Sequence, residues 1–242
     1  MSSELKPDIE PDSHWRQNMG QIPTTDDDSF SVHEVHVGSR PVVREVLETI
    51  ALTLIIFLIV RTVTQNFVVE GTSMDPTLHD TQSLIVNKAA YFQWDPHFLE
   101  RLNPLQQGAV PPPSLTYAFG APQRGDIVVF HAPEDPRDFI KRIIGLPGET
   151  VEVRADDGVY VNSVKLNEPY IKDVANYDWP DPGASATVPA DKIFVLGDNR
   201  RNSDDSHIFG PIALSSVVGR AWISYWPPEL MGVLPHPTYS AP

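Results

Sequence analysis

The chain has 242 residues, with 18 Lys and Arg against 32 Asp and Glu, a formal net charge of −14, and no cysteine. That length suits one sizeable domain with appendages. The acidic balance excludes a nucleic-acid binder, which needs a basic surface against phosphates. The missing cysteine excludes a disulfide framework, a thiolate-ligated metal and a cysteine nucleophile.

Residues 1–41 are expected to be an acidic, disordered tail, because Met1 to Ser39 holds eight acidic residues against Lys6 and Arg16. This acidic start, far from the apolar run, argues against a secretory signal peptide. Two motif fragments in the tail are read as chance. His33-Glu34-Val35-His36 is one residue short of the zinc-protease spacing, and Ser3 to Lys6 has the Ser-x-x-Lys spacing of β-lactamases. Neither metal nor cofactor is expected.

Val42 to Val60 is the one long apolar stretch, charge-free from Ile50 to Val60, with Arg44, Glu45 and Glu48 in its first half and Arg61 closing it. At about 1.5 Å per residue it reaches roughly 28 Å as a helix, close to a bilayer core. Leucines and isoleucines cover every helix face, so the expectation over residues 42–63 is a transmembrane helix rather than a core helix. Arg40 and Arg44 precede the charge-free run and Arg61 and Lys88 follow it, so the positive-inside rule does not set the direction of the helix.

Residues 64–226 read as a β-domain. Proline is frequent, at 24 residues, which disfavours helix interiors and central strands. Strands are predicted at Phe67–Glu70, Ser83–Asn87, Asp126–His131, Asp138–Ile144, Thr150–Arg154, Val159–Val161, Lys192–Leu196 and Val217–Tyr225. Asp156-Asp157-Gly158 between alternating valines marks a hairpin. Two loop insertions interrupt the pattern. One covers about residues 92–123 and contains Pro111 to Pro113; the other covers 173–189 and contains Trp179-Pro180-Asp181-Pro182-Gly183. Residues 227–242 are a proline-rich tail. The fold class expected is mostly β, barrel-like or multi-sheet, behind one N-terminal helix.

Ser73 lies shortly after the apolar run, inside Gly71-Thr72-Ser73-Met74-Asp75-Pro76-Thr77-Leu78. A serine hydroxyl is a poor nucleophile near neutral pH and needs a base. Asp75 stands where a nucleophile elbow needs its second glycine, and no Walker or dinucleotide-binding glycine pattern is present. Two kinds of base remain open. His79 or His131 could serve a triad with one of the acidic residues. Lys141 sits mid-strand beside Ile140 and Ile143-Ile144, and alternation places it opposite Ile140 and Arg142. A buried lysine loses the hydration of its charged form and its pKa falls. A neutral amine could then take the serine proton and later deliver one to the leaving amine. Lysines taken singly are mostly solvated, so the surrounding motifs decide between the two.

Five segments in this order resemble the type I signal peptidases. They are Gly71 to Leu78, Arg124-Gly125-Asp126-Ile127-Val128-Val129-Phe130, Lys141 to Glu149 (Lys-Arg-Ile-Ile-Gly-Leu-Pro-Gly-Glu), Gly197-Asp198-Asn199, and Asn202 to Ser206. The resemblance runs from Arg44 to Trp226. It implies the multi-sheet β-fold shared by signal peptidases and SOS-response repressors, with one N-terminal transmembrane helix. It also implies a serine endopeptidase that removes N-terminal signal peptides from exported preproteins at the extracytoplasmic membrane surface.

By this resemblance Ser73 is the nucleophile and Lys141 the general base. Ser203 orients the Lys141 amine, Asp205 holds the Gly197–Asn199 loop and Arg142 supports the lysine strand. The Ser73 N–H supplies the oxyanion hole. Gly71 stands where some members carry an extra hydroxyl, which leaves backbone groups or Thr72 as donors. His207 stands where arginine is common, which weakens an expected ion pair with Asp205 unless the histidine is protonated. Phe67–Gly71 and Asp138–Ile140 flank an extended signal-peptide segment. Phe67, Val69, Met74, Leu84 and Ile140 line pockets for small side chains, with simple core packing as their alternative role. The implied protein is monomeric and single-pass, with preproteins and membrane lipid as partners. The alternatives are a same-fold Ser-Lys self-cleaving or processing protease, and an inactive membrane-anchored binding protein.

Overall fold

The structure is a computed structural model that describes residues 42–98, 115–133 and 135–239. The chain divides into two units, residues 1–48 and 49–242. Of the first, the described part is the opening of helix α1 (Val42–Val63), where Arg44 Nε meets Glu48 Oε1 at 2.7 Å, one turn away. The expected acidic tail of residues 1–41 lies outside the described residues. Helix α1 has a mean hydropathy of 2.2 and buries none of its residues in protein. Its 22 residues rise about 33 Å, enough to cross a bilayer. Thr53 and Thr62 return their hydroxyls to the carbonyls of Thr49 and Leu58. Those polar groups therefore need no water.

The second unit continues without a loop from α1 into β1 (Thr64–Val68). Strand β1 begins three residues before the predicted strand and ends two before it. The main sheet also contains β2 (Ser83–Asn87), β5 (Ile127–His131), β6 (Asp138–Gly145), β11 (Lys192–Leu196), β12 (Ile212–Ala213), β13 (Val217–Trp226) and β14 (Gly232–Val233). Its order is β1-β2-β13-β5-β6-β11-β12, with β14 on β13, and every pairing is antiparallel. Alternation sets the register. In β2, Leu84 and Val86 point into the core, and Phe67 of β1 pairs with Leu84. Strand β6 is buried on both faces from Ile140 onward, as befits a central strand.

A second sheet, β10-β7-β8-β9, is built from β7 (Thr150–Arg154), β8 (Gly158–Val161), β9 (Val164–Lys165) and β10 (Ala186–Thr187). The predicted hairpin joins β7 to β8 with Asp156 at φ 56°. The β8–β9 turn was not predicted. It places Asn162 and Ser163 at φ 50° and 67°, the mirror-turn conformation that a two-residue hairpin needs, but without the usual glycine. Among the described residues the buried apolar side chains form three clusters: one under β1 and β2 around Met74 and Leu84, one around Val128 and Phe130, and one around Val153 and Phe194 between the sheets.

The predicted loop insertions hold more structure than the sequence indicated. The first is clasped at its base by β3 (Gln93–Trp94) and β4 (Thr116–Tyr117); residues 99–114 lie outside the described ones. In the second, Trp179 exchanges both backbone bonds with Val153, at 2.9 and 3.0 Å, and its ring packs on Phe194 at 4.3 Å. The tail after Trp226 adds a 3₁₀ turn, Pro228–Leu230, and β14.

Candidate active site

Strand β11 ends at Leu196, which pairs with Arg142 of β6. The Gly197-Asp198-Asn199 loop therefore emerges beside Lys141. The Ser73 turn follows β1 and is tied to this loop. Asn199 N–H donates to the Ser73 carbonyl at 3.0 Å and Asn199 Nδ2 to the Thr72 carbonyl at 3.0 Å. Asn202 Nδ2 donates to Thr72 Oγ1 at 3.0 Å. Gly197 permits this approach, because a Cβ there would lie 2.5 Å from the Ser73 carbonyl oxygen and 2.2 Å from Ser203 Oγ.

Lys141 Nζ lies 2.8 Å from Ser73 Oγ and 3.1 Å from the Ile140 carbonyl oxygen. Residues 68 apart in sequence thus meet, and Lys141 is only 4% exposed. Burial pulls the Lys141 pKa down from 10.5 to about 8, against the opposing pull of the Asp205, Asp204 and Asp198 carboxylates. The Phe139 ring, 5.2 Å away, forms an apolar wall beside the amine. Around pH 8 about half the molecules hold a neutral amine. Its lone pair can then accept the Ser73 proton across the same contact.

Arg142 points to the other side of β6 and is fully buried. It clamps Asp198, also fully buried, through two bonds of 2.8 and 2.6 Å, and donates to the Gly125 carbonyl at 2.9 Å. The Arg142–Asp198 pair joins the lysine strand to the Gly-Asp-Asn loop. Arg200 Nε donates to the Gly197 carbonyl at 3.0 Å and is held by Glu168 through bonds of 2.7 and 2.6 Å. The sequence reading missed Asp198 as a buried partner, together with Glu168 and Arg200. Only Asp198 stood in a motif, Gly197-Asp198-Asn199, and spacing cannot pair charges 56 residues apart.

Asp205 accepts from Gly197 N–H at 2.9 Å and caps helix α2 (Ser206–Phe209) through His207 N–H at 3.2 Å. His207 also reaches Asp205 through Nδ1 at 2.7 Å while stacking on Tyr177 at 4.0 Å. A neutral imidazole with its proton on Nδ1 makes that bond, so the contact survives the histidine without requiring charge. Ser203 departs from expectation: its buried hydroxyl has no hydrogen-bond partner among the described residues, and the amine it was expected to orient is held by Ser73 and Ile140 instead.

A groove of about 510 Å³ passes over this pair, between Phe67, Val68, Glu70, Gly71 and Thr72 on one side and Arg137–Ile140 on the other. Strand β1 is the edge of the sheet, and β6 meets β11 only from Arg142 onward. Among the described residues, both walls therefore present strand edges not taken by a neighbouring strand. Of the five expected pocket residues, Phe67 and Ile140 line the groove. Val69, Met74 and Leu84 do not: they are at most 2% exposed in the apolar cluster that Ile140 also joins. Core packing is the role the structure gives them. His79 pairs with Asp75 at 2.8 Å and His131 with Asp138 at 2.6 Å. Neither is bonded to Ser73, which has Lys141.

A serine bonded to a buried amine under an open groove has the arrangement that a nucleophile and its base need. Comparison with known proteins gives the chain a family. Residues 43–226 match the family model described as signal peptidase, peptidase S26. The chain belongs to this family. It is 37% identical over 205 residues to a signal peptidase I of Leptolyngbya laminosa, covering 81% of this chain and 86% of the relative. It is 36% identical over 172 residues to a signal peptidase I of Bacillus caldolyticus, covering 67% and 79%. It is 32% identical over 189 residues to signal peptidase I U of Bacillus subtilis (strain 168), covering 75% and 86%.

Proposed function

We propose that this chain is a membrane-anchored serine endopeptidase that removes N-terminal signal peptides from exported preproteins, with Ser73 as nucleophile and neutral Lys141 as general base. The observation that carries it is the 2.8 Å contact between Ser73 Oγ and a Lys141 amine that is almost wholly buried.

An extended signal-peptide segment pairs with the free edges of β1 and β6. Its scissile carbonyl then faces Ser73. Neutral Lys141 takes the hydroxyl proton as Oγ attacks, and the tetrahedral oxyanion is held by the Ser73 N–H. Thr72 adds a candidate donor in place of the hydroxyl missing at Gly71. Its oxygen accepts from Asn202, which leaves its own hydrogen available. Lys141 passes the proton to the leaving amine, and the peptide bond breaks. Lys141, neutral again, then takes a proton from water as that water attacks the acyl carbon, and returns it to Ser73 Oγ as the ester bond breaks and the acyl group leaves as a carboxylic acid. Once Ser73 is acylated, Lys141 loses that partner, and the unpaired Ser203 hydroxyl becomes the group that steadies it. Helix α1 spans the membrane once with the β-domain on the extracytoplasmic side. Tethering raises the effective concentration of a substrate whose own apolar segment lies in the bilayer.

The test is cleavage of a precursor carrying an Ala-x-Ala site by the full chain in detergent. Cleavage is expected in the wild type and absent in Ser73→Ala and Lys141→Met. Cleavage retained in Lys141→Met removes the lysine from the mechanism.

A further inference from the structure

The tail beyond β14 reaches the back of the catalytic centre. Leu234 N–H donates to the Trp222 carbonyl at 2.9 Å, and His236 Nε2 lies 3.5 Å from Asp126 Oδ1. Pro237 and Tyr239 then lie over Gly125. A Cβ on that glycine would come within 2.9 Å of the Tyr239 ring and 3.0 Å of Pro237. Gly125 adopts φ +96° and offers its carbonyl to Arg142, so the surface on which the tail sits also holds the lysine strand.

Tyr239 continues inward. Its hydroxyl is 2.8 Å from that of Tyr170, with the rings edge to face. Tyr170 spends its hydrogen on Glu168 at 2.7 Å, so Tyr239 is the donor in the tyrosine pair. Burial pushes both phenols up, Tyr239 to about 12, and both remain donors at neutral pH. Glu168 grips Arg200, which holds the Gly197 carbonyl. The Tyr170 ring also lies under the Arg142 guanidinium at 4.1 Å. Two routes thus lead from one terminal side chain to the two segments that set the Ser73–Lys141 distance.

We propose that Leu234–Tyr239 is a strap across the back of the catalytic centre and that Tyr239 is a positioning residue for Ser73 and Lys141. It acts through Tyr170, Glu168 and Arg200 on the Gly197–Asn199 loop, and through Gly125 and Tyr170 on Arg142. Pro235 and Pro237 stiffen the strap and reduce the entropy lost in laying it down. The inference rests on the Ser73–Lys141 reading above. Lys141 is faced by Ser73, the Phe139 ring and the carboxylates of Asp198, Asp204 and Asp205. Slackening β6 against the loop would admit water to the amine, which a merely distant structural role would not do.

The experiment compares the full-length wild type with Tyr239→Ala, Tyr239→Phe and Tyr160→Ala in detergent. Tyr160 serves as control because it lies in the second sheet, bonded to Asp157. Two readouts are taken on folded protein: kcat and KM on the Ala-x-Ala precursor, and the pH dependence of reductive methylation at Lys141 by peptide mass mapping. Tyr239→Ala is expected to lower kcat about tenfold with KM changed less than about twofold. It should also move the Lys141 half-reactivity point upward by at least about half a pH unit. Tyr239→Phe, which keeps the ring, should fall between it and the wild type, and Tyr160→Ala should change neither readout. Wild-type kcat and titration in folded Tyr239→Ala overturn the proposal, as does the same change in Tyr160→Ala. If Tyr239→Ala does not fold, wild-type values in Tyr239→Phe overturn it alone. A wild type that leaves the precursor uncut sinks the peptidase reading, while the methylation profiles still decide the strap.

Discussion

Lys141 is the residue whose chemistry and stability pull in opposite directions. Its folded pKa of about 8 lies below the usual 10.5 because burial disfavours the charged form. Between those two values the unfolded chain holds a proton that the folded chain has lost, so stability rises with pH across that window. Below about pH 8 the full penalty is present, on the order of 3 kcal/mol. Lys141→Met should therefore stabilise the folded protein at pH 7 and lose that advantage by pH 10.5, while abolishing cleavage. Urea unfolding at the two pH values checks this, and an equal difference at both would contradict it. Ser203→Ala should show a smaller version of the same conflict. It removes a buried hydroxyl with no partner, so stability should rise by about 1 kcal/mol, while kcat falls between those of the wild type and Ser73→Ala. Sequence motifs singled out Ser73, Lys141, Ser203, Asp205 and Arg142, because each sits in a segment with family character. They could not reveal that Ser203 lacks a bond or that His207 stacks on Tyr177, since both depend on rotamers set by distant neighbours.

At the scale of elements, the site is a junction between β6 and the loop after β11, closed by Arg142 and Asp198. Removing either partner leaves a buried charge unpaired. Arg142→Ala should therefore destabilise the protein by about 3–5 kcal/mol, measurable by denaturant unfolding, far more than a solvated strand arginine would. Gly197→Ala should act differently. Its Cβ would drive into the Ser73 carbonyl and Ser203, so kcat should fall on the order of a hundredfold with KM nearly unchanged. Strands with clear alternation, or with a short continuous apolar run as in Lys192–Leu196, were legible. Ser83–Asn87, Thr150–Arg154 and Lys192–Leu196 match their predicted limits. The two-residue strands β3, β4, β9, β10, β12 and β14 were not, because a pair of residues carries no period. Their pairing comes from tertiary context, as does the isolated bridge of Trp179 to Val153, where the Trp179 ring packs on Phe194.

On the scale of the molecule, one apolar helix precedes a β-domain whose groove follows within a few residues of its end. Helix α1 buries nothing in protein, so its leucines and isoleucines need another apolar surrounding. The full chain should stay with membranes after alkaline carbonate extraction; release into the supernatant would contradict a spanning helix. The helix was plain in the sequence because charge-free length is a local property. The fold of the tail was not, since nothing local to Pro235–Tyr239 announces a seat on Gly125.

The most direct measurement of the central claim is the pH dependence of kcat/KM for precursor cleavage by the wild-type chain, which reports the free enzyme's base. An ascending limb centred near the Lys141 value of about 8 is expected, with no cleavage by Lys141→Met at any pH. A limb near 6.5, the range of an ordinary histidine, or a limb that persists in Lys141→Met, would contradict a lysine base for Ser73.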